Sequence, residues 1–393
     1  MFTQNTINSF RTIETPFYYY DLNLLHKTLE IVAQESKKHD FKVHYALKAN
    51  ANYEILKSVQ KYGLGADCVS GNEIQRAIET GFLPSQIAFA GVGKSDKEIL
   101  TALEHDIFSF NCESIPELEV INHLAKENGK IAKVALRINP NIVADTHKYI
   151  STGAEENKFG INISELFQVI DLVKKLENIA LTGIHFHIGS QILALDNFKD
   201  LCFRVNELQV FFADKQISLQ HINLGGGLGI NYKNPDDELI ADFSNYFAIF
   251  NANLNRFPNQ EIHFELGRAI VGQCGSLITK VLYVKQGTSK KFVILDAGMT
   301  ELIRPALYQA YHFAQNLSAR IENQGKQESQ EVYEIYDVVG PICESSDYFH
   351  KNISLPTTKR GDLFALRSTG AYGEVMASNY NLREKTIAIY SEN

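Results

Sequence analysis

Lys48 closes the run Val43-His44-Tyr45-Ala46-Leu47-Lys48-Ala49-Asn50, a lone lysine at the end of an apolar, alternating, strand-like segment. An ammonium group is strongly hydrated and costly to enclose without a partner. Two readings stand: a strand-end lysine reaching into solvent, or an amine whose pKa is drawn down so that it can form a Schiff base. Four further segments carry residue types that could join such chemistry. Leu224-Gly225-Gly226-Gly227-Leu228-Gly229 offers backbone N–H groups that can wrap an anion, although a glycine run can equally be a tight turn. His185-Phe186-His187-Ile188-Gly189-Ser190 puts both histidines on one strand face. His185 reads as a packed core histidine, and His187 can stack on a flat cofactor ring if one is present. A metal pair lacks a third ligand at suitable local spacing, so no metal is expected. Glu261-Ile262-His263-Phe264-Glu265-Leu266-Gly267-Arg268 contains an acid, Glu265, that needs a cationic partner, either Arg268 or a protonated ring nitrogen. Gly340-Pro341-Ile342-Cys343-Glu344-Ser345-Ser346-Asp347 presents a thiol beside acids in a turn. A lone cysteine is usually an inert small hydrophobe, but one in a polar turn can give or take a proton.

The elements that must position these groups are legible as a rhythm. Short apolar runs recur at 41–48, 64–70, 86–91, 107–111, 133–140, 181–190, 219–227 and 261–268, with helical spacing between them. Ser164–Leu176 is the clearest helix, with Ser164 in the N-cap position, and Asn50-Ala51-Asn52 reads as the entry of another. Eight strands alternating with helices predict an α/β fold, a parallel (β/α)₈ barrel of the TIM type. A doubly wound open sheet is the alternative. In a barrel enzyme the site lies at the carboxyl ends of the strands. Lys48, Asp67 with Ser70, Asn111, Arg137, His187 with Ser190, Gly225–Gly227, and Glu265 with Arg268 should therefore meet in one mouth. Glycines after the seventh strand also stand where barrels often hold phosphate.

After about residue 270 the rhythm changes. Ser276–Lys285, Lys291–Asp296, Glu331–Val339, Asp362–Arg367 and Thr386–Tyr390 read as strands mostly without helices between them, which predicts a second, mostly antiparallel β domain. The expected division is a barrel over 26–270 and a β-barrel-like domain from 1–25 and 271–393. Pro16–Tyr20 precedes the barrel and could pair with it, and Glu322–Gln330 reads as an exposed loop.

Composition narrows the class. At 393 residues with net charge −8, the chain has no basic footprint for nucleic acid. Its five cysteines are scattered without a CxxC pair, which fits a reducing, cytoplasmic compartment rather than a disulfide scaffold. No basic start followed by an apolar run marks a signal peptide, and no apolar stretch is long enough for a bilayer, so no membrane partner is expected.

Taken together, Tyr45–Asn50, His187-Ile188-Gly189-Ser190-Gln191, Gly225–Gly229, Asp296-Ala297-Gly298-Met299, Arg304-Pro305-Ala306-Leu307-Tyr308 and Gly340–Ser345 resemble the fold-type III pyridoxal-phosphate decarboxylases, which share their barrel with alanine racemase. Within that family the resemblance is to the diaminopimelate decarboxylases. It runs across nearly the whole chain in family order. It implies pyridoxal 5'-phosphate as cofactor and decarboxylation of meso-2,6-diaminopimelate to L-lysine, the last step of lysine biosynthesis. Lys48 would carry the cofactor as a Schiff base, Glu265 would hold its ring nitrogen and His187 would stack on the ring. Ser190, Gly226, Gly227, Gly267 and Tyr372 would hold its phosphate, with Arg268 also close to the cofactor. Arg268, Arg304, Tyr308 and Tyr372 would meet the substrate's far carboxylate and Glu344 its far ammonium. Cys343 would return a proton. In the family, Cys343 and Glu344 come from a neighbouring subunit, which implies a homodimer with shared sites.

Three departures stand out. Leu266 replaces a usual proline, which relaxes a fixed φ. Ser346 stands where glycine is common, and the chain is somewhat short. None removes a group that the chemistry needs. Relatives acting on ornithine, lysine, arginine or carboxynorspermidine need an acid in the pocket without both arginines. A racemase needs a tyrosine base opposite Lys48, and none stands in a matching motif. A non-catalytic cofactor-binding relative would have lost Lys48 or Cys343. A Schiff-base aldolase on a phosphorylated sugar would use Lys48 and the glycines alike, but would not be yellow.

Overall fold

The structure, a computed structural model, describes residues 2–142, 158–322 and 332–391. After a first strand, β1 (Phe17–Tyr20), eight strands follow: β2 (Phe41–Ala46), β3 (Gly65–Cys68), β4 (Ile87–Phe89), β5 (Ser109–Cys112), β6 (Ala132–Arg137), β7 (Ile179–His185), β8 (His221–Asn223) and β9 (Glu261–Leu266). They pair in parallel in sequence order, and β9 returns to β2, so the barrel is closed. Closure excludes the open doubly wound sheet. The strands read as near-continuous apolar runs because helices cover one face and the barrel interior the other. Local chemistry sets the helix starts. Ser70 accepts the N–H of Glu73, Ser114 that of Glu117 and Asn52 that of Glu54. The helix expected from Ser164 is Leu166–Val173, preceded by a short 3₁₀ turn. Its cap lies upstream, because Asn162 and Glu165 form a reciprocal capping box and Ser164 caps nothing.

The barrel interior is layered. At its amino-terminal end His44, His221, His263 and Phe108 pack ring against ring. Glycines opposite make the room. A Cβ on Gly65 would stand 2.5 Å from His44 Nδ1, and one on Gly183 would stand 2.4 Å from His221 Nε2. Above them the layer turns polar, with Asp67, Asn111, His185, Asn223 and Glu265 all buried.

A second compact unit comprises Met1–Leu25, Ile230–Ile240 and Val271–Asn393. The first comprises His26–Gly229 and Ala241–Ile270. The excursion Ile230–Ile240, inside the range read as barrel, thus groups with the second unit. That unit adds β10 (Gly275–Gln286), β11 (Lys291–Leu295), β12 (Ala314–Asn316), β13 (Tyr333–Val339), β14 (Tyr348–Pro356), β15 (Leu363–Leu366) and β16 (Ile387–Tyr390). Strands β12, β15, β10, β11, β13 and β14 follow one another across an eight-stranded sheet. Most pairs are antiparallel, but β11–β13 and β1–β16 are parallel.

β1 pairs with β10 and β16, not with the barrel. Its four aromatic residues are buried on both faces, and Phe17 and Tyr19 join Ile7, Phe10, Ile278, Leu317 and Leu363 in the core of the second unit. Ile7 and Phe10 come from a helix, Gln4–Phe10, capped by Thr3. Glu331, the first residue of one expected strand, and the polar stretch 323–330 lie outside the described residues.

Candidate active site

Lys48 sits in a single 3₁₀ turn, Leu47–Ala49, just beyond β2. Its Nζ lies 2.6 Å from Asp67 Oδ2 at the end of β3, with the lysine side chain 35% exposed and the aspartate side chain fully buried. Burial, then the charge of Glu265, pushes the Asp67 carboxyl up to about 6, while Lys48 pulls it the other way. Asp67 Oδ1 is buried with no hydrogen-bond partner.

Glu265 ends β9 inside the barrel and is held by three side chains. Asn111 and Asn223 donate to Oε1 at 2.9 and 2.8 Å, and His185 Nε2 stands 3.0 Å from Oε2. Burial alone would raise this carboxyl. His185 and Lys48 beside it together outweigh burial and hold it well below the usual carboxylate range. Glu265 therefore stays a buried anion at neutral pH, facing a mouth that also holds an amine.

The glycine run beyond β8 has φ values of +66° at Gly225 and +109° at Gly227, which favour glycine. A Cβ on Gly226 would lie 1.9 Å from the Glu265 carbonyl oxygen, and one on Gly227 would lie 2.7 Å from the Gly189 carbonyl oxygen. Gly226 donates its N–H to His187 Nδ1 at 3.3 Å. Burial, and then Arg137 and Lys48, pull the His187 imidazole down to about 3, so it is neutral and can lie on an aromatic ring without adding charge. Arg268 donates to Ser190 Oγ at 2.9 Å. Gly267 packs so tightly that a Cβ would meet those of Ala49 and Ala46 at 2.9 and 3.1 Å. Arg137 ends β6 in an ion pair with Glu113 at 2.8 Å and lies 4.7 Å from the Phe159 ring. Glu113 also accepts the N–H groups of Gly91 and Gly160. The segment 143–157 lies outside the described residues.

In the second unit Arg304 is buried and donates through Nη1 to Tyr232 Oη at 3.1 Å and to His312 Nε2 at 2.8 Å. Tyr308 ends the same short helix, Arg304–Tyr308. Glu344 is exposed and accepts from Tyr380 Oη at 2.9 Å, beside an exposed Cys343. Tyr372 has φ of +58°, unusual for an aromatic residue.

These residues fit pyridoxal phosphate. The glycine run is a cradle that any Cβ would fill, Lys48 is an accessible amine, and Glu265 is an anion suited to a protonated ring nitrogen. The profile of the family described as "Pyridoxal-dependent decarboxylase, pyridoxal binding domain" matches residues 24–272. The chain belongs to that family. Curated relatives agree along the full length. The diaminopimelate decarboxylase of Bacteroides thetaiotaomicron is 58% identical, covering 96% of each chain. That of Helicobacter pylori strain J99 is 40% identical over 98% of this chain and 92% of its own. A crystal structure of the Helicobacter pylori enzyme complexed with L-lysine superposes with a TM-score of 0.88 at 39% identity, covering 98% of this chain and 94% of that one. The family match brings with it pyridoxal phosphate as cofactor and carboxy-lyase chemistry.

Sequence reading singled out Lys48, Asp67, Asn111, Arg137, His187, Ser190, the glycines, Glu265 and Arg268, and the barrel gathers them at its strand ends. It treated His185 as a core histidine and missed Asn223 and Glu113. Asn223 had a signal, since it stands two residues before Gly225 and so shares its strand face. Glu113, just past β5, had none, because its partner Arg137 is a strand away.

Proposed function

We propose that this chain removes CO₂ from meso-2,6-diaminopimelate to give L-lysine, the closing step of lysine biosynthesis, as a cytoplasmic homodimer with shared sites. The observation that carries the reading is Glu265, a buried anion with three donors, in the same barrel mouth as Lys48 and a glycine cradle. Bound pyridoxal phosphate supplies the electron sink for the charge left when the carboxylate departs.

The chain's own residues do the rest. Lys48 anchors the cofactor covalently, with Asp67 as its counter-ion before loading. His187 covers the ring face, and Glu265 keeps the proton on the ring nitrogen. Ser190, Gly226, Gly227, Gly267 and Tyr372 hold the phosphate. Arg268, Arg304 and Tyr308 bind the carboxylate that is not lost, and Glu344 binds the ammonium beside it. A diamino diacid is the substrate that needs both signs of charge at its far end. One C–C bond breaks as CO₂ leaves. Cys343 Sγ then gives its proton to that carbon, and solvent restores the thiol.

The test is covalent trapping. The purified protein, loaded with pyridoxal phosphate and reduced with borohydride, should carry the phosphopyridoxyl mass on the peptide that contains Lys48. Label on another lysine, or none, would overturn the assignment.

A further inference from the structure

We propose that Asn223 is a positioning residue for this reaction, joining the glycine run to Glu265 and, with Asn111, keeping Glu265 ionised and aimed. The inference rests on the reading of the barrel mouth as a pyridoxal phosphate site and deepens it.

Asn223 closes β8, and its side chain is fully buried. Its Oδ1 accepts the backbone N–H of Gly225 at 3.0 Å. A backbone N–H can only donate, so the amide oxygen must face Gly225 and the NH₂ must face the other way. That other way is Glu265 Oε1, 2.8 Å off. The orientation of this amide is thus dictated by its partners. Glu265 completes the figure by donating its own N–H to the Gly225 carbonyl at 2.8 Å.

Asn111 brings a second amide NH₂ to the same Oε1. His185 covers Oε2 through Nε2, and because its buried Nδ1 has no partner, the ring proton belongs on Nε2. Three N–H groups therefore converge on one carboxyl. The ionised form is the stronger acceptor for all of them, so together they select it. Asn223 differs from the other two in also gripping the glycine run. One side chain thereby sets the separation between the two ends by which the cofactor would be held, the ring nitrogen and the phosphate.

The test uses the full chain loaded with pyridoxal phosphate. It reads the dissociation constant of the cofactor and its visible absorbance across the neutral pH range. Asn223→Asp keeps an acceptor for Gly225 but sets an oxygen against Glu265 Oε1, so one of the two carboxyls must take a proton. Loss of a charge-assisted hydrogen bond predicts cofactor binding roughly 10- to 100-fold weaker. It also predicts a spectrum that titrates where that of the unsubstituted protein does not.

The double variant Asn223→Asp with Glu265→Gln exchanges donor and acceptor. It should regain part of the thermal stability lost in Asn223→Asp, the rest being withheld because Asn111 then faces an NH₂ instead of an acceptor, but not the affinity or the spectrum, which separates positioning from mere packing. Asn111→Asp, which leaves Gly225 untouched, addresses the same oxygen if Asn223→Asp does not fold. Unchanged affinity and spectrum in whichever of these folds overturns the proposal. Failure of the unsubstituted protein to take up pyridoxal phosphate overturns the function on which it rests, and is seen before any variant is made.

Discussion

Lys48 Nζ stands 2.6 Å from Asp67 Oδ2, while the second oxygen of that carboxylate is buried with no hydrogen-bond partner. The pair is an amine held by an acid that gains little else from its surroundings. Capturing the amine in a covalent bond would leave Asp67 a buried acid, and burial favours its protonated form. Lys48→Ala should therefore abolish covalent cofactor and turnover while leaving the barrel folded. Visible absorbance after dialysis and the far-ultraviolet circular dichroism spectrum check both halves, and retained yellow colour with normal turnover would contradict the role.

Asp67 also fixes a pH dependence. Its folded pKa is about 6, above that of an unfolded aspartate, so between those values the folded state binds the extra proton. Stability from this group is present at low pH and is lost as pH rises through about 6. Asp67→Asn should flatten that loss in urea unfolding of the cofactor-free protein followed through this window. An unchanged pH profile would show that the charge of Asp67 is not what sets it.

The histidine floor of the barrel works in the opposite sense. Burial pulls His44 down to about 4 and His221 to about 3, so both are neutral when folded. The unfolded chain takes up protons at these residues as pH falls below about 6.5, and the folded chain does not. Each group therefore removes up to about 1.4 kcal/mol of stability per pH unit from there down to its folded pKa. His263, whose Nδ1 lies 2.8 Å from His44 Nε2, adds to this shift, while Glu265 at His44 and Glu261 at His221 temper it. His221→Gln should shallow the acid side of the stability profile, and no change in its slope would contradict the assignment.

His312 bears on the substrate end. Its Nδ1 faces the Arg367 carbonyl at 3.0 Å, which places the proton there and leaves Nε2 to accept from Arg304. His312→Phe removes that acceptor. If Arg304 binds the far carboxylate, KM for the diacid should rise roughly 10-fold or more with little change in cofactor affinity, as for a lost charged hydrogen bond. A fall in kcat at constant KM would place His312 elsewhere in the mechanism.

The proposed sharing of sites across a dimer makes a further prediction. Lys48→Ala and Cys343→Ala chains, each inactive or nearly so, should recover part of the activity when mixed and allowed to exchange subunits. No recovery after exchange is shown would place both groups in one chain's site.

The barrel was the readable part of this sequence because its strands are buried on both faces. Tyr45–Leu47, Ile87–Ala90 and Val134–Leu136 stand out as apolar runs whatever surrounds them. The second sheet was less readable. β14, Tyr348–Pro356, exposes a third of its residues and carries His350, Lys351 and Asn352, so it shows no apolar run. The sequence shows β1 as a strand and groups residues 1–25 with the second domain, but it leaves a pairing with the barrel open that β1 does not make. Four consecutive aromatic residues declare burial on two faces without saying against what, and only the register Phe17 to Ile278 and Phe17 to Ile387 tells. At the site, residue types at strand ends were legible. What was not was the convergence of Asn111, His185 and Asn223 on Glu265, because the three come from strands far apart in sequence and each alone reads as an ordinary buried polar residue.

The most direct measurement is CO₂ release by the purified, pyridoxal phosphate-loaded protein from meso-2,6-diaminopimelate, with ornithine, lysine and arginine run beside it. Release from diaminopimelate alone, with L-lysine as product, is the expected result. Preference for any of the three monocarboxylates would keep the fold and cofactor but contradict the pocket drawn from Arg268, Arg304 and Glu344.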